Sequence, residues 1–249
     1  MSSFIRKLSR LAGVALLAAL SWSSHAQGQY PNKPITMIIA FAPGGGTDLV
    51  ARLIAPYIEK YLGNNARIIV SNKAGAGGGI GFAELAKAAP DGYTIGFLNT
   101  PNLLSIPIER QSTFHWKDYD LIGNLIDDPG AFTVHNSSEF KTLKDLVAYA
   151  KANPGKVTVG STGVGSDDHL AMLFFEKAAG VKLTHVPYKG GAGPLQDILG
   201  GRVDVMFDSI TVTKAQVEAG KLRALGVTSL KPYKLLPGVP PVADTISGY

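Results

Sequence analysis

Four short loops gather the residues of this chain that could hold a ligand: FAPGGGTD (41–48), KAGAGGG (73–79), STGVGS (161–166) and KGGAG (189–193). Glycine turns that open helices present backbone N–H groups whose dipoles attract anions. Two nucleotide sites are excluded by residue type. A P-loop needs Lys and then Ser or Thr after its glycines, and Thr47 follows Gly46 directly. A dinucleotide fingerprint starting at Gly44 and Gly46 needs its third glycine where Leu49 stands. Thr47, Ser161, Thr162 and Ser166 add neutral donors, and no arginine lies in any of the loops. Lys73 and Lys189 do, but lysine at a loop tip is commonly a solvated charge. The expected chemistry is capture of a small carboxylate by N–H dipoles and hydroxyls.

Catalytic and metal chemistry find little support. There is no G-x-S-x-G nucleophile elbow and no cysteine, so no thiol nucleophile, disulfide or thiolate metal site. His115, His135, His169 and His185 have no partner at metal-ligand spacing. No catalytic residue, metal or cofactor is expected. His169 either touches ligand or bonds the backbone at a helix start. Asp167 and Asp168 either meet a ligand amine or hydroxyl or only answer the helix dipole. Asp208 either positions water or a ligand hydroxyl or caps the next helix.

The elements that position these residues alternate apolar runs with helical patterns, the signature of a parallel α/β sheet. ITMIIAFA (35–42) is apolar throughout, as a strand covered on both faces should be. The helix after it carries a stripe of Leu49, Val50, Leu53, Ile54, Tyr57, Ile58, Tyr61 and Leu62, with Thr47 as N-cap and Gly63 as its stop. The unit recurs: strands are expected at 67–72, 93–99, 156–160, 183–188, 203–209 and 223–229, most leading into a glycine loop or a helix. Ser166 should cap the helix ended by Gly180, and Pro194 suits a first helical turn. Between these units, strands at 119–125 and 131–135 should cross from one lobe to another, and a helix at 143–152 should open the second lobe. Binding sites in open α/β sheets lie beyond the C-terminal strand ends, where all four loops fall.

The first 26 residues read as a cleavable secretory signal: Arg6, Lys7 and Arg10, a short apolar run from Leu11 to Leu20, then Ser24-His25-Ala26. That run is too short to span a bilayer of ~30 Å. Without this basic segment the formal charge of +5 falls to +2, and no basic run interleaved with aromatics suggests nucleic acid.

The stretches YPNKPITMIIAFAPGGGTDLVAR, SNKAGAGGGIG, APDGYTIGF, GSTGVGSDDHLAMLFF, HVPYKGGAGPLQDILGGRVDVMFDS and LRALGVTS together resemble the Bug, or TctC-like, solute-binding proteins of tripartite tricarboxylate transporters. The resemblance runs from Tyr30 to Tyr249. It implies a two-lobed type II periplasmic-binding (Venus flytrap) α/β fold and a monomeric periplasmic receptor. Such a receptor passes a mono-, di- or tricarboxylate to membrane permease subunits. It also implies that Ser161, Thr162, Val164, Gly165 and Ser166 hold one carboxylate. Phe41, Ala42, Gly44, Gly45 and Asp48, with Ala76 and Gly77, would hold the far end, often through ordered waters, and Tyr188 and Asp208 would line the cleft; His169 is counted with them on its position alone. The expected division is a signal at 1–26, a first lobe at 27–124 plus 221–249, and a second at 125–220. Members of the family continue past the position matching Tyr249, so the chain reads as C-terminally truncated, with part of the first lobe missing and apolar surface exposed there. A sensor module for a membrane kinase is the alternative role, and an enzyme on this fold the remote one.

Overall fold

The computed structural model describes residues 30–249, and the predicted signal peptide lies outside them. Two sheets form two lobes. In the first, β1 (Ile35–Ile39) lies between β2 (Ile68–Asn72) and β3 (Thr94–Gly96), all parallel, in the order β2-β1-β3. Helix α1 (Gly46–Leu62) covers one face, with Ala51 against Met37 and Ile39. Helices α2 (Gly79–Ala86) and α3 (Asn102–Glu109) cover the other, where Phe82, Leu103, Ile106 and Phe114 pack around Ala40 and Phe41. Two-sided cover explains why β1 is apolar at nearly every position.

The sequence misleads at α1. Its buried side is Asp48, Ala51 and Ala55, whereas Leu53, Tyr57 and Tyr61 of the expected stripe are exposed. The alanines are the residues that let the helix lie close on the sheet. The helix starts at Gly46 with Gly45 as N-cap, so Thr47 stands inside the first turn and does not cap.

The second lobe is a mixed sheet in the order β6-β5-β7-β4-β8. Its elements are β4 (Gly130–His135), α4 (Leu143–Ala152), β5 (Thr158–Ser161), α5 (Asp167–Ala179), β6 (Thr184–Pro187), α6 (Ala192–Leu199), β7 (Val205–Ser209), α7 (Ile210–Glu218) and β8 (Leu222–Val227). Strand β5 runs parallel to β6 and β7, while β4 is antiparallel to β7 and β8. Its core centres on Phe132, whose ring lies 4.8 Å from Phe175 and 4.7 Å from Phe207. Ser166 caps α5 by accepting the His169 N–H, and Gly180 ends it in a left-handed conformation, both as expected.

Two expectations are corrected. Residues 119–125 form no strand: they have no ladder partner, and Leu121 and Ile122 are exposed. A strand without a neighbour leaves its backbone groups to water. The stretch 221–249, assigned to the first lobe, packs on the second. Strand β8 pairs with β4, Val227 bridges to Pro241, and Val242, Ile246 and Tyr249 join the Phe132 core. An apolar strand such as LRALGV fits either sheet by its pattern; what fixes it is the open edge of β4.

Candidate functional site

Helices α1, α5, α6 and α7 begin at the C-terminal ends of β1, β5, β6 and β7, so their positive ends converge where the lobes meet. The lobes approach through glycine. Ala42 N–H donates to Lys189 O at 3.1 Å. A Cβ on Gly45 would lie 3.3 Å from Gly191 N, and one on Gly77 only 2.5 Å from Val164 O. Fully buried Asn102 clamps the seam: its Nδ2 donates to Gly77 O at 2.9 Å and its Oδ1 accepts Asp167 N–H at 3.3 Å. Ser105 Oγ donates to Gly165 O at 2.9 Å.

Beside this seam lies a cavity of about 780 Å³, extending along the first sheet. Of the residues expected at the site, Phe41, Gly45, Thr162 and Asp208 line it. Gly46, Thr47, Asn99, Asp167, Asp168, Gly191 and Ser209 line it as well. Ala42, Gly44, Asp48, Ala76, Gly77, Ser161, Val164, Gly165, Ser166, His169 and Tyr188 are not in its wall; several of them build the seam or the loops behind it. Sequence reasoning passed over Asn99, although it sits at a C-terminal strand end where the crevice rule points. It placed Gly191 in the fourth glycine loop but had no signal for its part in the seam, nor for Asn102, since both roles arise only when the lobes meet.

The two main loops are each organised by a buried aspartate. Asp48 accepts Gly44 N–H at 2.9 Å, Asn72 Nδ2 at 2.9 Å and Arg52 Nε at 3.0 Å. Burial pushes its carboxyl up, but these bonds outweigh burial and hold it below the usual range. In the second loop Asp168 accepts both the N–H and the hydroxyl of Thr162. Gly163 N–H goes to Ser161 Oγ and Gly165 N–H to His169 Nδ1. Many donors expected to meet a ligand are thus used within the loop, and His169 makes a helix-start backbone bond.

The electrostatics are acidic. Burial, with Asp167 and Asp208 nearby, drives the Asp168 carboxyl well up. Burial raises Asp208 to about 8, helped by Asp167 and Asp128, and raises Asp167 to about 6. Among the described residues no lysine or arginine lines the cavity. Lys73 pairs with Glu84.

One pair imitates a nucleophile and its base: Ser161 Oγ lies 2.6 Å from His185 Nε2. Ser161 is fully buried, and burial, with repulsion from the charge of His169 stacked 4.1 Å away, lowers His185 to about 4. Such a weak base, with no carboxylate orienting it among the described residues, is poorly suited to activate a hydroxyl.

The model of the tripartite tricarboxylate transporter family receptor, TctC, matches residues 50–249. The chain belongs to the TctC receptor family. A protein of the tcbD–tcbE intergenic region of Pseudomonas sp. strain P51 is 37% identical over 238 residues, covering 94% of this chain and 70% of that protein. The periplasmic binding protein BugD is 34% identical with a TM-score of 0.82, over 87% of this chain and 72% of BugD. MatC from Rhodopseudomonas palustris, solved with bound malate, is 27% identical with a TM-score of 0.81, over 88% of this chain and 74% of MatC. The family and these structural neighbours are binding proteins, and the chain is a solute-binding receptor of that kind with their two-lobed α/β fold.

Proposed function

We propose that the chain is an extracytoplasmic receptor that captures a small carboxylate between its lobes and delivers it to the membrane permease subunits of a tripartite tricarboxylate transporter. The observation that carries this reading is the convergence of helix N-termini from both sheets on one glycine seam, in a family of transporter receptors. Backbone N–H groups at α1 and α6 are the anion donors, with the Thr47 hydroxyl beside them. Ligand contact by the seam loops around Phe41, Gly44, Gly77, Ser161 and Gly165 belongs to the same proposal. Malate bound in MatC supports the ligand class. The signal at residues 1–26 would carry the receptor to the periplasm, and amino-terminal sequencing of the exported protein should then begin at Gln27.

Isothermal titration of the signal-free chain with mono-, di- and tricarboxylates tests the reading. Saturable one-to-one binding of at least one carboxylate is expected. Binding only of an uncharged solute would sink it.

A further inference from the structure

Two buried acceptors in the cavity wall have no donor, one from each lobe. Asp208 is 3% exposed; its Oδ1 accepts Ser209 N–H at 2.7 Å, and its Oδ2 accepts nothing. Gly191 is what gives Oδ2 its room, since a Cβ there would sit 2.3 Å from it. Across the cavity, Asn99 Oδ1 is also buried and unbonded, while Asn99 Nδ2 donates to Thr47 Oγ1 at 2.9 Å. Both residues line the same cavity.

Buried acceptors call for donors, because leaving them unpaired forfeits hydrogen bonds that water would have made. A plain carboxylate brings none. It would also meet Asp167, Asp168 and Asp208 with no cationic side chain in the wall. Two neighbouring acids are engaged: Asp128 accepts the Ser209 and Thr211 hydroxyls, and Asp168 accepts Thr162. Asp208 is the acid of the cluster whose free oxygen is both buried and unpaired.

We propose that the site takes a carboxylate that also carries an ammonium group. The ammonium donates to Asp208 Oδ2 and Asn99 Oδ1, and the carboxylate rests on the N-terminal N–H groups of α1 and α6. This inference rests on the receptor reading and names the ligand class for it. An ammonium supplies several donors and offsets charge in the acid cluster, two needs met by one group.

Titration of the signal-free chain with matched pairs tests it: succinate against aspartate, glutarate against glutamate, butyrate against 4-aminobutyrate. In at least one pair the amino member should bind at least about tenfold tighter. Asp208→Asn should weaken that ligand by about 10- to 100-fold, the scale of a lost charge-assisted bond, while its plain partner, relieved of one nearby acid, binds no more weakly than before. The wild-type comparison needs no variant, and a melting curve checks that Asp208→Asn is folded. If plain acids bind as tightly as their amino partners in every pair, the inference falls and the receptor reading stands. The same holds if Asp208→Asn leaves the amino ligand unchanged, as it would if a protonated Asp208 only donated to a ligand carboxylate. If no carboxylate of either kind binds, both fall.

Discussion

The two glycine loops use the same device and end in opposite electrostatic states. Each places an aspartate in the first turn of a helix, Asp48 on α1 and Asp168 on α5, and turns its carboxylate back onto a loop N–H. Asp48 also has Arg52 and Asn72, and its carboxyl is held low. Asp168 has only Thr162, stands beside Asp167 and Asp208, and is driven high. The first loop is compensated internally and reads as scaffold. The second carries charge that its own residues do not offset, which is where a ligand or a proton is needed.

The largest expected effect is at the compensated loop. Asp48→Asn replaces an acceptor of Gly44, Asn72 and Arg52 with a group that is half donor, and should cost about 2–3 kcal/mol in urea unfolding. A loss below about 0.5 kcal/mol would make the two loops equivalent after all.

Next comes pH. Asp208, raised from 3.8 to about 8, and Asp167, raised to about 6, are protonated in the folded chain where the unfolded chain is ionised. The unfolded state then binds fewer protons, so stability falls as pH rises. It is fullest below the unfolded value near 3.8 and is lost as pH passes through the folded values. Below about pH 6.5 the depressed His185 and His169 work the other way, so the clean window lies above it, and the unliganded protein should lose about 1–2 kcal/mol between pH 6.5 and pH 8. A melting temperature that climbs steadily over that range would contradict the acid cluster.

Asp168→Asn should have the opposite sign to Asp48→Asn at pH 8. It keeps an acceptor for Thr162 and removes a charge beside Asp167 and Asp208, so a gain of up to about 1 kcal/mol is expected in the same unfolding assay. The smallest effect belongs to Gly45→Ala. The Gly45 backbone, at φ −80°, accepts alanine without strain, so stability should stay within about 0.5 kcal/mol. The new Cβ would press on Gly191 N, and carboxylate affinity in titration calorimetry should fall about threefold, a cost of well under 1.4 kcal/mol.

Much of the architecture was legible because strands buried on both faces and glycine-ended helices leave local marks. Strand β1, helix α4 and the Ser166 cap are local facts, and each was visible in its own residues. The antiparallel entry of β4 and the attachment of β8 to it are pairing facts, fixed by a sheet edge far away in sequence. The same division runs through the site. Glycines at strand ends announced the loops, and the motif resemblance named the family. The self-satisfaction of the second loop was hidden because Thr162, Gly163 and Gly165 each find an acceptor within six residues that competes with any ligand. Asn102 was hidden because its partners belong to opposite lobes.

The seam has one more consequence. At Gly45 against Gly191 and Gly77 against Val164, main chain meets main chain. The spacing of the two lobes at the seam is therefore set by backbone atoms that most substitutions cannot alter. Residues on the cavity wall, such as Asn99, Thr47 and Asp208, can be exchanged while the seam keeps its shape. On the receptor reading proposed above, a permease that docks on the seam's shape would accept receptors of differing cargo without being redesigned for each.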